Sequence, residues 1–171
     1  NTTMWGAARG GRFIAAVPGI INVVAPWLAA VAAGPYHSAA AVIAAAERML
    51  PDLWRQVREH ESEDQLGPTT AWTYFFDAYG RPTRISVSSR TGFSRGTETR
   101  TGFLIHPRLP VDRFTGIEGN DADLFRIARH VADYCSAHPE QVGNVAVGGE
   151  ASVIRLSKFG GARTRKPGRL S

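Results

Sequence analysis

No charged side chain occurs between Phe13 and Ala46, and a stretch of this length without charge allows only a few kinds of fold. It forms either a membrane segment or a set of elements buried in a protein core. Three prolines interrupt it, namely Pro18, Pro26 and Pro35. Much of the rest is alanine, and a span of about 20 strongly apolar residues, which a transmembrane helix needs, is absent. Although Arg9 and Arg12 precede the stretch as in a signal peptide, we expect buried elements of a soluble domain.

The net charge of +5 is concentrated at the carboxyl end of the chain. Residues 151–171 carry six basic side chains and no acidic one, whereas the rest of the chain is nearly neutral. The six are Arg155, Lys158, Arg163, Arg165, Lys166 and Arg169. Such a segment can bind nucleic acid, an acidic surface or a lipid headgroup, and it can equally be a solvated terminus. With 171 residues in total, we predict one domain over residues 1–157 and a basic tail over residues 158–171.

The cysteine and histidine content argues against disulfide and metal chemistry. The single cysteine, Cys135, cannot form an internal disulfide, which favours a reducing compartment and a cytoplasmic protein. It shares the apolar stripe of a predicted helix with Ile127 and Val131, so we interpret it as a buried thiol rather than a nucleophile. The five histidines lack metal-ligand spacing, and we predict neither a metal nor a cofactor.

The pattern of apolar and turn residues predicts strand blocks that alternate with helix blocks. Strands are expected over residues 2–8, 12–17, 71–78, 83–89, 101–106, 145–147 and 152–157. Helices are expected over residues 20–33, 38–60 and 120–137. Residues 90–100 are predicted to be a mobile loop, and the chain after Gly160 a disordered or extended tail. Because no regular βαβ repeat is present, this order favours antiparallel sheets with helices stacked outside them.

Two short segments at opposite ends of the chain carry a family resemblance. Thr2 and Thr3 begin an apolar strand, and the chain returns after a glycine turn through Gly-Arg-Phe-Ile-Ala-Ala at residues 11–16. The other segment, residues 147–156, contains Gly-Gly and is followed by a second glycine turn. Together they resemble the N-terminal-nucleophile hydrolases, in particular proteasome β-type subunits and bacterial proteasome-like peptidases. This resemblance implies an α+β fold, a four-layer α/β/β/α sandwich of antiparallel sheets.

The resemblance also implies a chemistry at the chain terminus. On this interpretation Thr2 is the catalytic nucleophile, and it becomes the first residue when Asn1 is removed. Its hydroxyl then attacks a peptide carbonyl, and its own α-amine, with a pKa of roughly 7.7–8.0, accepts the proton. Backbone N–H groups stabilise the oxyanion. While Asn1 is present, the Thr2 nitrogen is an amide and cannot act as the base.

The sequence departs from the family pattern at two positions. The family carries an Asp at the end of the second strand, where this chain has Val17 and Pro18, and a Lys near the position of Gly34. No lysine occurs before Lys158. Two explanations stay open. The chain is a non-catalytic relative, or the alignment is displaced, so that residues 2–16 are internal strands leading directly into the first helix and the nucleophile lies upstream.

Partners follow from the same resemblance, which implies a homo-oligomeric ring, a peptide or unfolded protein as substrate and an ATPase as partner. The alternative is a non-catalytic module that binds nucleic acid or an acidic partner through its basic tail. Three loop arginines with two phenylalanines nearby could also contact a phosphate backbone. These are Arg90, Arg95, Arg100, Phe93 and Phe103. Binding that weakens steeply with salt would distinguish this alternative from a peptidase.

Overall fold

A computed structural model describes residues 3–10, 12–60, 68–98, 118–142, 150–159 and 161–169. In chain order its elements are β1 (Thr3–Gly10), β2 (Phe13–Ile20), α1 (Ile21–Ala33), α2 (Ala39–Arg58), β3 (Thr70–Phe76), β4 (Pro82–Ser88), β5 (Arg95–Glu98), α3 (Asp121–Ala137), β6 (Glu150–Ser157) and β7 (Gly161–Arg169). The chain divides into two compact units. The first comprises Asn1–Thr101 with Leu156–Ala162, and the second comprises Gly102–Arg155 with Arg163–Ser171.

Strands β1 to β5 of the first unit form one antiparallel sheet in which each strand pairs with its neighbours in sequence. Phe13 of β2 lies opposite Phe75 of β3, and Ala15 lies opposite Thr73, which in turn lies opposite Ile85 of β4. Because side chains alternate along a strand, these five residues share one face of the sheet. That face is the buried one, since Phe13, Ala15 and Thr73 are almost inaccessible to solvent.

Helices α1 and α2 are inserted between β2 and β3 and cover this buried face. Helix α1 packs against β1, β2 and α2, whereas α2 packs against β2, β3 and β4. The two helices contribute Trp27 and Leu50, both fully buried, to one continuous apolar core with the sheet. The charge-free stretch therefore forms the centre of the first unit. Burial of each such side chain contributes about 1.5–3 kcal/mol to folding.

Local sequence signals explain where the helices begin and end. The backbone N–H of Ala41 donates to Ser38 Oγ at 3.2 Å, so Ser38 caps α2 as predicted. Helix α1 ends where the Gly34 N–H donates to the Ala30 carbonyl at 2.8 Å. Pro26 and Pro51 both lie inside their helices, where each removes one backbone hydrogen bond. Both helices continue through their prolines, so Pro51 does not divide α2 in two and Pro26 does not break α1.

The second unit contains α3 and most of β6 and β7, which pair as a two-stranded sheet. Asn120 caps α3, since its side-chain oxygen accepts from the Asp123 N–H at 2.9 Å. One stripe of α3 is buried, and it carries Ile127, Val131 and Cys135. Cys135 is thus the buried thiol that its spacing predicts, and burial raises the pKa of that thiol.

The structure confirms a mixed α and β chain with antiparallel sheets, but three local predictions differ. The predicted mobile loop contains a 3-10 turn (Ser89–Thr91) and strand β5. Gly161–Arg169 is a strand paired with β6, not a disordered tail. Strand β2 continues through the Pro18-Gly19 pair to Ile20. The predicted strands over 101–106 and 145–147 lie outside the described residues, and the predicted domain boundary stays a prediction.

None of the helices within the described ranges is long and apolar enough to cross a membrane. The charge-free stretch, which raised that question, is divided here between β2, α1 and the start of α2. Its apolar side chains are instead taken up by the core of the first unit.

Candidate functional site

The start of β1 lies beside the start of α1, and this corner of the first unit is the candidate site. Thr2, the predicted nucleophile, lies outside the described residues, but its neighbour Thr3 is the first residue of β1. Thr3 pairs with Ile20, the last residue of β2, and Ile20 is also the residue that precedes the first turn of α1. The pairing of β1 with β2 therefore carries the beginning of the first strand to the amino end of a helix.

The amino end of α1 has no side-chain partner from its capping residue. The aliphatic side chain of Ile20 cannot accept a hydrogen bond from the first turn, and no acidic residue occurs in that turn. The first N–H groups of a helix lack intrahelical acceptors, and the aligned peptide dipoles place partial positive charge there. A negative charge that develops at this corner, such as the oxyanion of an acyl transfer, would be stabilised by these groups.

Gly19 and Thr69 form a close contact two residues before α1. A Cβ at Gly19 would meet the side chain of Thr69, so position 19 accepts only glycine without rearrangement. Thr69 is fully buried, and its Oγ1 has no hydrogen-bond partner among the residues described. Its backbone is held by Ser89, with the Thr69 N–H donating to Ser89 Oγ and the Ser89 N–H donating to the Thr69 carbonyl. The sequence carries only a weak sign of this contact, since a glycine inside an apolar strand indicates close approach of another segment.

The two departures from the family pattern have different structural settings. Val17 is fully buried in the core against the helices, so the position aligned with the family's Asp offers no polar environment. Gly34 ends α1 and donates its N–H to Ala30. Neither position therefore carries an ionisable group that could assist an N-terminal threonine.

Arg95 of the predicted loop is tied into a structural ion pair. Its Nε donates to Glu47 Oε1 at 2.7 Å and its Nη2 donates to Oε2 at 2.6 Å, which joins β5 to α2. The hydrogen bond from Arg95 lowers the pKa of Glu47. Phe93 is 9% exposed and packs edge-on against Trp54, with 6.2 Å between ring centroids. Arg95 is thus engaged by Glu47 and Phe93 is buried, whereas Arg90 is exposed and Arg100 and Phe103 lie outside the described residues, so phosphate contact by this loop stays a prediction.

A shallow groove lies along the carboxyl half of α2, next to the Phe93 ring. Its volume is about 310 Å³. The lining residues are Pro51, Trp54, Arg55, Arg58, Glu59 and Phe93. The groove combines an aromatic wall with charges of both signs, and Arg55 is paired with Asp52 at 3.1 Å. These lining residues therefore do not indicate which class of ligand the groove would bind.

In the second unit, the Asp121 carboxylate accepts hydrogen bonds from two arginine side chains. Arg155 Nε donates to Oδ1 at 2.7 Å, and Arg165 Nη1 donates to Oδ2 at 2.9 Å. Arg155 also donates from Nη2 to the Gly119 carbonyl at 2.8 Å. Hydrogen bonds from Arg155, and next from Arg165, lower the pKa of Asp121. Arg165 of the predicted basic tail and Arg155, which precedes it in β6, thus hold β6 and β7 on the start of α3.

Asp121→Asn is expected to lower the melting temperature at pH 7, because one neutral amide replaces the shared carboxylate of Arg155 and Arg165. A lowered folded-state pKa contributes stability above the unfolded-state pKa of about 3.9 and loses it as the pH falls. The difference in melting temperature between Asp121→Asn and the wild type should therefore shrink as the pH falls from 5 to 2.5, as measured by melting curves followed by circular dichroism. Asp133→Asn, an exposed change on the same helix, is the control and should show no such pH dependence. An equal difference at all pH values would contradict the assignment.

Metal and cysteine chemistry find no support in the described ranges. Those ranges contain no group of three or more His, Cys, Asp or Glu side chains that could hold a metal ion. His60 Nδ1 lies 2.8 Å from the Gln56 carbonyl of its own helix, and His138 stacks at a tilt on Tyr134. Both contacts are local and structural. His106 lies outside the described residues.

No family model, curated protein or solved structure was found to match this chain. The function proposed below is therefore carried by the residues and their arrangement.

Proposed function

We propose that the chain is a subunit of a proteasome-like assembly of the N-terminal-nucleophile type, with the four-layer α/β/β/α sandwich of that class. It acts on peptide or unfolded protein if the threonine-type nucleophile is present, and it serves as a structural member of the ring if not. The observation that carries the proposal is the insertion of α1 and α2 between β2 and β3, with both helices packed on one face of an antiparallel sheet. In the proposed sandwich these elements would form one helix layer and one sheet layer.

The opposite face of the same sheet also supports a layered architecture. Register places Ile14, Ala16, Trp72 and Tyr74 on the face turned away from α1 and α2. All four side chains are only partly exposed. Apolar side chains on the second face of a sheet are typical of a sheet that packs against another layer. In the proposed sandwich that layer is a second antiparallel sheet.

The connection between β2 and α1 bears on where the nucleophile lies. Strand β2 ends at Ile20 and α1 begins at Ile21, with no loop between them. This direct connection favours the displaced alignment, in which residues 2–16 are internal strands and the nucleophile is encoded upstream of Asn1. It also accounts for the buried Val17, because the family's Asp then belongs to another strand. If Thr2 is the nucleophile, the corner that joins Thr3 to the start of α1 would supply oxyanion-stabilising N–H groups.

Intact mass and N-terminal sequencing of the chain from its native host test the enzyme proposal directly. A mature chain that begins at Thr2, or at an upstream Thr, Ser or Cys, is the expected result for an autoprocessed hydrolase. A mature chain that retains Asn1 behind an unprocessed extension has no free nucleophile amine and would leave only the structural role. Native mass spectrometry of the same sample tests the ring, and a purely monomeric chain would count against both roles.

Thr2→Ala and Thr3→Ala form a matched pair that separates the two alignments. If Thr2 is the nucleophile, Thr2→Ala abolishes hydrolysis of a fluorogenic peptide, whereas Thr3→Ala retains activity, since Thr3 is a strand residue. If the displaced alignment holds, Thr2→Ala keeps its activity, and only replacement of the upstream nucleophile removes it. Assembly should be unchanged in all of these variants.

A further inference from the structure

Two aromatic side chains of the first unit are almost completely exposed. Tyr79, in the turn between β3 and β4, is 81% exposed, and Phe159, in the turn between β6 and β7, is 89% exposed. In the described part of the chain only Ile21, at 39%, joins them as an exposed large apolar side chain. Single exposed apolar side chains are common on protein surfaces, so a binding role for these two rings depends on the groups that surround them.

Each of these rings has a cation beside it. The guanidinium carbon of Arg81 lies 5.1 Å from the Tyr79 ring centroid, and Lys158 Nζ lies 5.3 Å from the Phe159 ring centroid. Both distances are within the range of cation–π attraction, which holds the cation over the ring. Arg81 Nε also donates to Asp77 Oδ2 at 2.8 Å, so the charge of Arg81 is partly balanced and Lys158 supplies most of the positive charge beside the two rings.

The two turns touch one another. Gly80 has a positive φ of 75° and no side chain, and the ammonium end of Lys158 lies in the space that a Cβ at Gly80 would fill. The β3–β4 turn is also rigid, because Asp77 Oδ1 accepts from the Tyr79 N–H at 2.9 Å and from the Arg81 N–H at 2.8 Å. These contacts place Tyr79 and Phe159 on adjoining turns of one surface.

We propose that this surface, formed by Tyr79, Gly80, Arg81, Lys158 and Phe159, binds single-stranded nucleic acid. Unpaired bases stack on the two rings, and the neighbouring cations contact the phosphates. Aromatic rings interleaved with basic side chains are the usual elements of sequence-tolerant single-strand binding. Further along the sequence, in the second unit, Arg163, Lys166 and Arg169 add positive charge of the sign that attracts a polyanion, whereas Arg165 is paired with Asp121.

The alternatives fit the surface less well. A protein interface usually surrounds its aromatic anchors with further apolar side chains that exclude water, and the described surface offers few. A membrane-binding surface likewise needs a broad apolar face. Two isolated rings with cations beside them match separate bases better than either. The inference is independent of peptidase activity, because it uses no residue of the β1 and α1 corner.

Fluorescence anisotropy with labelled dT20 and U20 tests the proposal on the full chain. Tyr79→Ala and Phe159→Ala should each weaken binding by about fivefold or more, and the double variant should lose more. Tyr79→Phe and Phe159→Tyr keep a ring and should bind like the wild type. Arg48→Ala, which removes an exposed cation of α2 elsewhere in the first unit, is the matched control and should change affinity much less.

Four results would overturn the proposal. The first is no binding of dT20 or U20 at low salt, and the second is binding that both alanine variants retain. The third is equal competition by polyglutamate or by phosphatidylserine vesicles, which would indicate an acidic protein or a membrane surface instead. Stronger binding of a 20-base-pair duplex than of dT20 would also contradict base stacking. Both rings are exposed, so circular dichroism should show that the variants remain folded.

Discussion

Phe13→Ala should lower the free energy of unfolding of the first unit by about 3–5 kcal/mol, the range for removing a buried phenylalanine. Phe13 is 1% exposed and lies in the core that joins the sheet to α1 and α2. Its removal leaves a cavity that the paired strands on either side, β1 and β3, cannot easily collapse to fill. Urea unfolding followed by tryptophan fluorescence measures the effect, because all four tryptophans belong to the first unit.

Phe159→Ala makes the same chemical change at an exposed site and is the control for this experiment. With 89% of its surface exposed, Phe159 contributes little to folding, and its variant should stay within about 0.5 kcal/mol of the wild type. Similar losses in the two variants would mean that the burial difference between Phe13 and Phe159 is not real. If Phe13→Ala lowered the free energy of unfolding only slightly, Phe13 would not belong to the core of the first unit.

Val17→Asp, which restores the acid of the family pattern, should destabilise the first unit by about 4 kcal/mol or more. Val17 is fully buried against apolar side chains, so a carboxylate there loses its water without gaining a partner. Burial would raise the pKa of the new carboxyl group, because the neutral form is less costly to bury. The loss should therefore be larger at pH 8 than at pH 5, as measured by urea unfolding at the two pH values.

Ala16→Asp is the matched control, because it places the same acid one residue away on the other face of β2. Ala16 is only partly buried, so its carboxylate keeps some contact with water and the loss should be clearly smaller. If Val17→Asp were instead tolerated and also raised peptidase activity, the undisplaced alignment with Thr2 as nucleophile would be favoured. Strong destabilisation by Val17→Asp would support the displaced alignment.

Helix ends were predictable because their causes are local. Ser38 and Asn120 each accept a hydrogen bond from a backbone N–H three residues ahead, and that geometry needs no distant partner. The apolar stripe that carries Cys135 follows from helical periodicity in the same way. The hairpin of β1 and β2 was likewise visible as two apolar runs around a glycine turn.

Contacts between residues far apart in sequence could not be predicted. Glu47 and Arg95 are 48 residues apart, and their ion pair joins β5 to α2. The segment that was predicted to be a mobile loop therefore contains a strand with a distant partner. Gly19 and Thr69 meet because β2 and β3 lie side by side, which leaves no room for a Cβ. Lys158 reaches Gly80 across the fold in the same manner. In each case one partner alone looks like an ordinary loop or strand residue.

By itself the sequence determined which segments are apolar on one side, where helices begin, and that strand and helix blocks alternate. These properties depend on neighbours within a few residues, so the chain order alone contains them. Only the tertiary structure decided that Val17 is buried, that Thr3 lies beside the start of α1, and that Tyr79 and Phe159 occupy adjoining turns. Those facts depend on strand register and on which turns meet, and packing of the whole first unit determines both.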